Sequence, residues 1–358
     1  MHKKIIFPFV FISILLGGFI FRAQIKALFI YDSRSINKIQ KTLLIKEELT
    51  IESLAKILAS EGIVEDSKNI LEFAENNGLL NADFSPGKYL ILPQTQMSSL
   101  VRGFQVDSTG HGKSEQKVNV LFNYCRNIHE MAGNVSKCIL ADSAEIVEYV
   151  SSEEFLNKNE VTIEELSSLF IPATYKMYFD LDAKEFTDEM MLIRNEFWSQ
   201  KKNLLLDSLG LSKVQVSTLA SIVYSEQAKV SEEWSTIAGL YLNRLKRGIL
   251  LQSDPTFKFC WGSKLDGAER LTFEHRDIDC PYNTYKYAGL PPGPICLVPA
   301  IVLDAVLEPE LHSYIFMVAK PGGGGHNFSE TYAQHKLYVN KYRKWERDYL
   351  KGKRKNEL

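Results

Sequence analysis

The sequence predicts an α+β protein, on the strength of its composition and of two patterns along the chain. Of the 358 residues, 45% are hydrophobic and 24% are charged, which is close to the average for globular proteins and makes a packed core feasible. The first third of the chain has the pattern of a strand, two helices and a strand, and a further strand followed by helices begins near residue 118. The length is sufficient for two or three domains.

The charge balance excludes several classes of protein. The chain has 42 Lys and Arg residues against 44 Asp and Glu residues, which gives a formal net charge of -2. A protein that binds nucleic acid over its whole surface needs a basic excess, so we expect no nucleic acid partner. The average hydrophobic content also excludes a globally disordered chain and a polytopic membrane protein.

One uncharged apolar run departs from this average composition, from Ile5 to Phe21. Its length is at the lower limit for crossing the ~30 Å hydrocarbon layer of a membrane, and the two lysines that precede it favour a cytoplasmic N-terminus. The alternative is a cleaved signal peptide, but the run ends in Phe-Arg-Ala-Gln instead of a small-x-small cleavage site. We predict a cytoplasmic tail at residues 1–4, a transmembrane anchor at 5–21, a polar stalk at 22–40 and export of the remaining chain.

The first compact unit is predicted at residues 41–102 with the element order β-α-α-β. A strand from Leu43 to Leu49 precedes a helix capped by Thr50, Asp66 opens a second amphipathic helix, and a Ser-Pro-Gly turn leads into a strand from Tyr89 to Leu92. A stretch rich in Gly, Ser and Lys then marks a boundary. The second unit is predicted at residues 103–349, and the basic tail at 350–358 is expected to fray.

Several elements are predicted inside the second unit. Val118 to Tyr124 has the pattern of a strand, Phe170 to Tyr178 that of an aromatic-rich loop, and Phe186 to Trp198 that of a helix. A further helix is predicted from Ser231 as the N-cap to Gly248 just past the end, because acidic residues occupy its first turn and basic residues its last.

Glu226 is the sharpest chemical signal in the sequence. Leu219 and Val223 recur at helical spacing, and Glu226 falls on the same apolar face. Burying an ionised carboxylate is costly, so such a glutamate is paired with a cation or has a raised pKa, and a raised pKa suits a general acid that works near neutral pH. The alternative is a glutamate at the helix edge that faces water or pairs with Arg244.

Other chemistries find little support. The histidines of the C-terminal third have no metal-ligand spacing, no GxSxG string is present, and the glycines from Gly322 to Gly325 lack the order of a phosphate-binding loop. We therefore predict no metal and no organic cofactor. The five cysteines contain no CxxC spacing; if one pair is oxidised, Cys260 with Cys280 is the candidate, and free buried thiols are the alternative.

Four strings in the C-terminal half carry a family resemblance. ASIVYSEQ, AGLYLNRLKRGILLQSDPT, YNTYKYAGLPPGPI and GGHNF occur in this order between Ala220 and Phe328, at the separations found in the MltG (YceG-like) family of membrane-anchored endolytic murein transglycosylases. Upstream, FIPATY resembles the proline-threonine aromatic loop of that family. The segment from Leu43 to Pro93 resembles its LysM-like module.

The resemblance implies a lytic transglycosylase. Glu226 matches the position of the family's catalytic acid, whereas Tyr224 stands where many members have another acidic residue. The implied reaction needs no water and no second carboxylate, because the C6 hydroxyl of N-acetylmuramic acid attacks its own anomeric carbon and gives a 1,6-anhydro end. Ser253 stands where Thr is usual and keeps the hydroxyl.

Other polar residues of these strings are predicted to support the site. Asp254 is a candidate to orient or polarise the sugar, although Asp-Pro-Thr is also an ordinary turn start. A further set carries amide, imidazole or hydroxyl groups that suit sugar hydroxyls and N-acetyl groups, or that alternatively form a buried polar network holding the loops. This predicted substrate-binding set consists of Asn243, Gln252, Ser253, Thr256, Tyr282, Asn283, Thr284, His326 and Asn327.

Two other functions stay open at this point: a non-catalytic peptidoglycan-binding scaffold, and a muramidase that uses water with the same acid. The resemblance implies glycan strands as substrate and the penicillin-binding synthases of wall elongation as partners. It also implies a location in the bacterial plasma membrane, with a single span and an extracytoplasmic catalytic domain.

Overall fold

The computed structural model describes residues 33–265 and 271–356. It contains both helices and two-stranded antiparallel sheets, which confirms the α+β class in general terms. The predicted anchor at residues 5–21 lies outside the described residues. Within the described ranges, no helix has both the length and the apolar character that a membrane span needs.

The described strands form three two-stranded sheets, and the strands of the first and the last sheet are antiparallel. In the first pair Lys41 lies opposite Ile91, and in the last pair Phe316 lies opposite Ser329. The pairs are β1 with β2, β3 with β4, and β5 with β6. The strands are β1 Lys41–Ile45, β2 Gly87–Ile91, β3 Val118–Leu121, β4 Thr174–Met177, β5 Phe316–Ala319 and β6 His326–Ser329.

Helices make up most of the remaining regular structure. They are α1 Ile51–Ser60, α2 Ser67–Asn76, α3 Met97–Gly103, α4 Ile128–Val135, α5 Ser143–Val150, α6 Glu153–Lys158, α7 Ala183–Phe197, α8 Gln200–Leu209, α9 Lys213–Glu226, α10 Trp234–Lys246, α11 Asp254–Trp261, α12 Phe273–Arg276, α13 Ala300–Leu307 and α14 Tyr332–Asn356. Short 3₁₀ turns occur at Leu166–Leu169, Ser231–Glu233 and Gly262–Leu265.

The first compact unit has the predicted order β1-α1-α2-β2. Thr50 accepts a hydrogen bond from the Ser53 backbone N–H at the start of α1, and Asp66 accepts one from Lys68 at the start of α2. These side chains satisfy amide groups that have no partner within their helices. The identification of this unit as LysM-like stays a prediction.

The first unit contains more of the chain than the elements β1, α1, α2 and β2. It extends to Val120 and includes the separate segments Cys138–Ala141 and Tyr175–Asp182. Residues 103–120 therefore pack with the first unit. The predicted domain limits themselves stay a prediction.

The second compact unit has a core built around α9, α10 and α13. Ser212 and Gln215 form a reciprocal capping box at the start of α9, and the side chains from Val216 to Val223 are buried. This burial fixes the rotation of α9, so that Glu226 ends the helix at the edge of the core.

Three local predictions differ from the structure. The α-helix expected to be capped by Ser231 begins at Trp234, because Ser231–Glu233 forms a 3₁₀ turn. The expected loop from Phe170 to Tyr178 contains β4, which gains its hydrogen bonds from β3. The tail expected to fray continues α14 up to Asn356.

The structure joins Cys260 and Cys280 in a disulfide with a Cα–Cα distance of 6.2 Å, within the usual range. This confirms the pair proposed from the sequence. The bond ties the C-terminal end of α11 to the segment that precedes Asn283. Cys125 and Cys296 are buried thiols.

Candidate functional site

A pocket of about 400 Å³ lies in the second unit at the C-terminal end of α9. This volume is in the range typical of small-molecule sites. Polar and ionisable groups line one part of it, and the β5 strand forms an apolar wall. The lining residues are Glu226, Leu240, Tyr241, Arg244, Leu251, Gln252, Asp254, Tyr285, Ile315, Phe316, Met317, Val318, Ala319, His326, Tyr332 and His335.

The carboxyl group of Glu226 is held by two hydroxyl donors. Tyr241 of α10 donates to Glu226 Oε1 at 2.8 Å, and Ser253, just before α11, donates to the same oxygen at 2.5 Å. Three separate segments of the chain therefore meet at this carboxyl group. Because both donors approach Oε1, the orientation of the whole group is fixed.

Opposing effects act on the pKa of Glu226. Burial raises it most, and the nearby charge of Asp254 raises it further, while the hydrogen bonds from Ser253 and Tyr241 lower it. The balance leaves the pKa of Glu226 above its ordinary value. Burial and the neighbouring Glu226 likewise place the pKa of Tyr241 well above its ordinary value, so Tyr241 remains a hydrogen-bond donor at neutral pH.

Arg244 does not form the ion pair considered from the sequence. Its Nε donates to the Ile315 carbonyl at 2.7 Å, and its Nη1 donates to the carbonyls of Leu250 and Leu251 at 3.0 and 2.7 Å. No salt bridge joins it to Glu226 among the described residues. Arg244 instead fastens the loop after α10 to the start of β5.

Asp254 lies at the first position of α11 and lines the same pocket as Glu226. The hydroxyl group of Tyr285 donates to Asp254 Oδ1 at 2.6 Å. Burial, followed by this hydrogen bond and the charge of Asp254, raises the pKa of Tyr285. Asp254 is therefore the second carboxyl group in the pocket, and one of its oxygens is hydrogen-bonded to the hydroxyl group of Tyr285.

His326 reaches the pocket from the first position of β6 and is held by Glu233. Its Nδ1 lies 2.8 Å from Glu233 Oε2, and its backbone N–H donates to Glu233 Oε1 at 2.8 Å. Gly325 precedes His326 with φ +123°, and a Cβ atom there would collide with the Glu233 carboxyl group. A glycine at 325 therefore permits the close approach of this acid.

A network of buried hydroxyl groups holds the backbone at Ser253 in place. The Ser253 backbone N–H donates to Thr284 Oγ1 at 3.0 Å, and Thr256 Oγ1 lies 2.8 Å from the same oxygen. Asn283 is fully buried, and its Nδ2 donates to the carbonyls of Arg276 and Ile278 at 2.8 Å each. Thr256, Asn283 and Thr284 thus hold loops in this structure, and their predicted contact with substrate stays a prediction.

The remaining predicted residues occupy different positions. Gln252 is exposed, lines the pocket and has φ +53°. Asn243 donates to the carbonyls of His312 and Tyr314 at 2.8 and 3.1 Å, whereas Tyr282 packs its ring against Phe259 with centroids 4.5 Å apart. Asn327 lies on β6 opposite Val318. Among these four residues, Gln252 is the one that lines the pocket.

Sequence reasoning missed three residues of the site. Tyr241, Glu233 and Tyr285 were not among the site residues predicted from the motifs. A tyrosine within an apolar helical face is a signal, because a buried phenol requires a hydrogen-bond partner. No local signal links Glu233 to His326, since 93 residues separate them.

Comparison with protein families decides the assignment. The model of the YceG-like family matches residues 43–341, which spans both compact units and every residue of the pocket described above. The chain belongs to the YceG-like family. The family resemblance found in the sequence is thereby confirmed.

Curated relatives of this YceG-like chain share one name. The "Endolytic murein transglycosylase" of Bacillus subtilis (strain 168) is 23% identical over 308 residues, covering 82% of this chain and 82% of the relative. A Streptococcus pneumoniae protein of the same name (serotype 2, strain D39) is 33% identical over 133 residues, covering 36% of this chain and 24% of that relative.

A solved structure shows the same fold. The crystal structure of a YceG-like protein from Listeria monocytogenes aligns with a TM-score of 0.53 at 24% identity. The alignment covers 84% of this chain and 99% of that one. The YceG-like chain therefore shares its architecture, beyond the short motifs, with an experimentally determined member.

Proposed function

We propose that this YceG-like protein is a membrane-anchored endolytic transglycosylase that cuts peptidoglycan strands between N-acetylmuramic acid and N-acetylglucosamine. The observation that carries the proposal is the Glu226 carboxyl group, which lines the pocket with a raised pKa and is oriented by Tyr241 and Ser253. The name shared by the curated relatives supports peptidoglycan as the substrate.

The proposed reaction uses Glu226 twice. The protonated carboxyl group first gives its proton to the glycosidic oxygen, and the bond between this oxygen and C1 of N-acetylmuramic acid breaks. The resulting carboxylate then takes the proton of the C6 hydroxyl group as O6 bonds to C1. The enzyme recovers its proton, no water is consumed, and the products are a 1,6-anhydro end and a free hydroxyl on the leaving sugar.

The two hydroxyl donors on Oε1 suit both halves of this cycle. Because both donors contact Oε1, Oε2 is the oxygen proposed to carry the proton to the glycosidic oxygen. The same hydrogen bonds stabilise the carboxylate that exists between the two proton transfers. Asp254 is proposed to stabilise the positive charge that develops near C1, with Tyr285 fixing its position. His326, held by Glu233, is proposed to bind a sugar hydroxyl or the N-acetyl group.

The surroundings of the reaction are proposed from the sequence. The apolar run at residues 5–21 would tether the enzyme to the plasma membrane, with its catalytic unit on the extracytoplasmic side. The first unit would act as a LysM-like glycan-binding module. Penicillin-binding synthases, which make the strands, are the proposed protein partners.

Replacing Glu226 by Gln tests the proposal. The amide keeps the size of the side chain and an oxygen for Tyr241 and Ser253, but it cannot donate the catalytic proton. We expect Glu226→Gln to remain folded and to release no 1,6-anhydro products from purified peptidoglycan, as measured by liquid chromatography and mass spectrometry. Glu232→Gln is the matched control, because Glu232 is an exposed carboxylate nearby, and it should retain full activity.

The same experiment distinguishes the alternatives. Asp254 in the same pocket favours a water-using muramidase as the second candidate, since a second carboxyl group could activate water. That enzyme would give products one water heavier than the anhydro sugars. Strand binding without any cleavage by the wild type would indicate a scaffold, and anhydro products from Glu226→Gln equal to those of the wild type would overturn the proposed role of Glu226.

A further inference from the structure

Three ionisable side chains of the first unit converge away from the pocket. His111 Nδ1 lies 2.8 Å from Asp180 Oδ1 and 3.9 Å from Glu115 Oε2. One ligand-type atom from each of the three residues lies within 4.8 Å of the other two. Among the described residues, these are the His, Cys, Asp and Glu side chains that lie close enough together to share a metal ion.

The carboxyl group of Glu115 is the unusual member of this group. Its side chain has no exposed surface, and its Oε1 accepts a hydrogen bond from the Phe179 backbone N–H at 3.1 Å. No donor among the described residues hydrogen-bonds to the buried Oε2, the oxygen that faces His111. A buried carboxylate oxygen without a partner is costly, so this atom indicates a missing ligand.

The three side chains are held in place by their surroundings. Asp180 Oδ2 accepts a hydrogen bond from Ser85 Oγ at 3.1 Å, and the ring of Tyr178 stacks on the His111 imidazole with centroids 4.0 Å apart. A Cβ atom at Gly87 would collide with the Glu115 carboxyl group. The carboxyl group can occupy its position because residue 87 has no side chain. Such support from neighbouring groups is typical of metal sites.

We propose that His111, Glu115 and Asp180 bind a divalent transition-metal ion that stabilises the first unit. One imidazole nitrogen and two carboxylate oxygens form a donor set that suits Zn²⁺ or a similar ion better than Ca²⁺ or Mg²⁺, which prefer oxygen ligands alone. Two carboxylates also balance the two positive charges of the ion. The proposal does not depend on the proposed function, since all three ligands belong to the first unit.

The geometry allows the ion to enter. Zn²⁺ binds nitrogen and oxygen at about 2.0–2.2 Å and so holds ligand atoms up to about 4 Å apart, which small side-chain shifts would achieve here. The ion would replace the direct contact between His111 and Asp180 and would give Glu115 Oε2 its partner. The His111 side chain is 15% exposed, which leaves a route from solvent and room for water as a fourth ligand.

The test measures Zn²⁺ binding to the purified full-length protein after treatment with a chelator. We expect calorimetric titration to show a Zn²⁺ site that is weakened at least tenfold in Glu115→Gln and in His111→Gln, since loss of a ligand or its support typically costs about 10–100-fold in affinity. Glu65→Gln and His129→Gln, which change exposed residues, should bind as the wild type does. Zn²⁺ should also raise the unfolding temperature of the wild type.

Each result decides the proposal. A wild type that binds no Zn²⁺, or variants that bind it as tightly as the wild type does, would overturn it. If the variants do not fold by circular dichroism, the absorption spectrum of the wild type with Co²⁺ decides instead. Nitrogen and oxygen ligation without thiolate-to-cobalt charge transfer supports the site, whereas a thiolate signal from the tightest site assigns the ion to cysteines and rejects it.

Discussion

At the scale of single residues, the hydroxyl group of Ser253 opposes the effect of burial on the Glu226 carboxyl group. Its hydrogen bond stabilises the carboxylate and lowers the pKa of Glu226, against the larger effect of burial. In the proposed reaction the protonated acid is the active form, so the rate falls as pH rises through this pKa. We expect Ser253→Ala to raise the pKa and to move the alkaline limb of the pH–rate profile to higher pH.

The profile is measured as release of anhydro sugars from peptidoglycan across a series of buffers. Ser253→Thr is the control, because it keeps a hydroxyl group at the same position, and its alkaline limb should coincide with that of the wild type. A limb that moves to lower pH in Ser253→Ala would contradict the role assigned to this hydrogen bond.

The raised pKa of Glu226 also has a consequence for stability. A carboxyl group whose pKa is higher in the folded state favours folding at low pH, and this contribution is lost as pH rises through the folded pKa. Glu226→Gln removes the charge while keeping the shape. We expect the variant to be more stable than the wild type at pH 7, by about 0.5–2 kcal/mol.

Denaturant unfolding at neutral and acidic pH measures this difference. It should shrink as the pH falls below the ordinary glutamate pKa of about 4.3, where both chains carry a neutral side chain at residue 226 in the folded and the unfolded state. A variant that is less stable than the wild type at pH 7 would show that the buried carboxylate is not a cost to the fold.

Residue-scale prediction succeeded where the signal was local. Helical spacing alone placed Glu226 on the apolar face of α9, and the structure has it at the end of that helix. Tyr241 and Glu233 were not predicted as site residues, because their partners lie elsewhere in the chain. A hydrogen bond between Glu233 and His326 depends on tertiary packing that no short pattern records.

At the scale of elements, the turn between β5 and β6 positions His326 against Glu233. The glycines of this turn have positive φ, and Gly325 differs from Gly324 because a Cβ at 325 would meet the Glu233 carboxyl group whereas a Cβ at 324 meets nothing within 4 Å. Gly325→Ala should therefore displace Glu233 and the histidine that it holds. We expect activity to fall about tenfold or more, since small misplacements in a site cost this much.

Gly324→Ala is the matched control for this effect. Both substitutions strain a backbone with positive φ, so the difference in activity between them reports the contact with Glu233. Circular dichroism checks that both variants fold. Equal activity in the two variants would mean that the placement of Glu233 does not matter for the reaction.

The disulfide between Cys260 and Cys280 stabilises the fold at the scale of elements. Cys260 near the end of α11 is joined to Cys280 across a sequence separation of 20 residues, and a loop of about this size contributes ~3 kcal/mol by restricting the unfolded chain. We expect Cys280→Ser to lower the free energy of unfolding by about 3 kcal/mol. A reductant should lower the stability of the wild type similarly and leave that of Cys280→Ser unchanged.

Denaturant unfolding with and without the reductant measures this effect. Cys138→Ser, outside the disulfide, should keep the response of the wild type to the reductant. A wild type whose unfolding does not change on reduction would contradict the assigned contribution of the bond.

Element boundaries were predictable where a local cap fixes them. Thr50 and Asp66 start their helices as expected, because each side chain accepts a hydrogen bond from a backbone amide close in sequence. The α-helix expected at Ser231 starts later, at Trp234, because Ser231–Glu233 forms a 3₁₀ turn. β4 was missed because a short strand depends on its partner for hydrogen bonds.

At the scale of the whole molecule, the chain does not divide into units at one point. Cys138–Ala141 and Tyr175–Asp182 pack with the first unit although they are far along the sequence. Composition and turn signals locate a boundary only where the chain itself changes character. The cluster of His111, Glu115 and Asp180 was missed for the same reason, because Asp180 joins the other two only through this packing.

The apolar run at residues 5–21 leads to a prediction for the whole protein. In the proposed function this run tethers the chain to the membrane, whereas every residue that lines the pocket lies between Glu226 and His335. Deleting residues 5–21 should therefore move the protein from the membrane fraction to the soluble fraction. Since the pocket keeps all its residues, the deleted form should release anhydro sugars from isolated peptidoglycan at a rate within about a factor of two of the detergent-solubilised full-length protein.

Membrane fractionation and product analysis of the same two proteins measure both expectations separately. As control, alanine substitution of Lys3 and Lys4 removes the flanking charges and keeps the apolar run, so this variant should stay in the membrane fraction. A deleted protein that still sediments with membranes would reject the proposed anchor while leaving the catalytic proposal intact. Loss of cleavage in a folded, soluble protein would instead show that the N-terminal run contributes to catalysis beyond tethering, because isolated peptidoglycan reaches the pocket without any membrane.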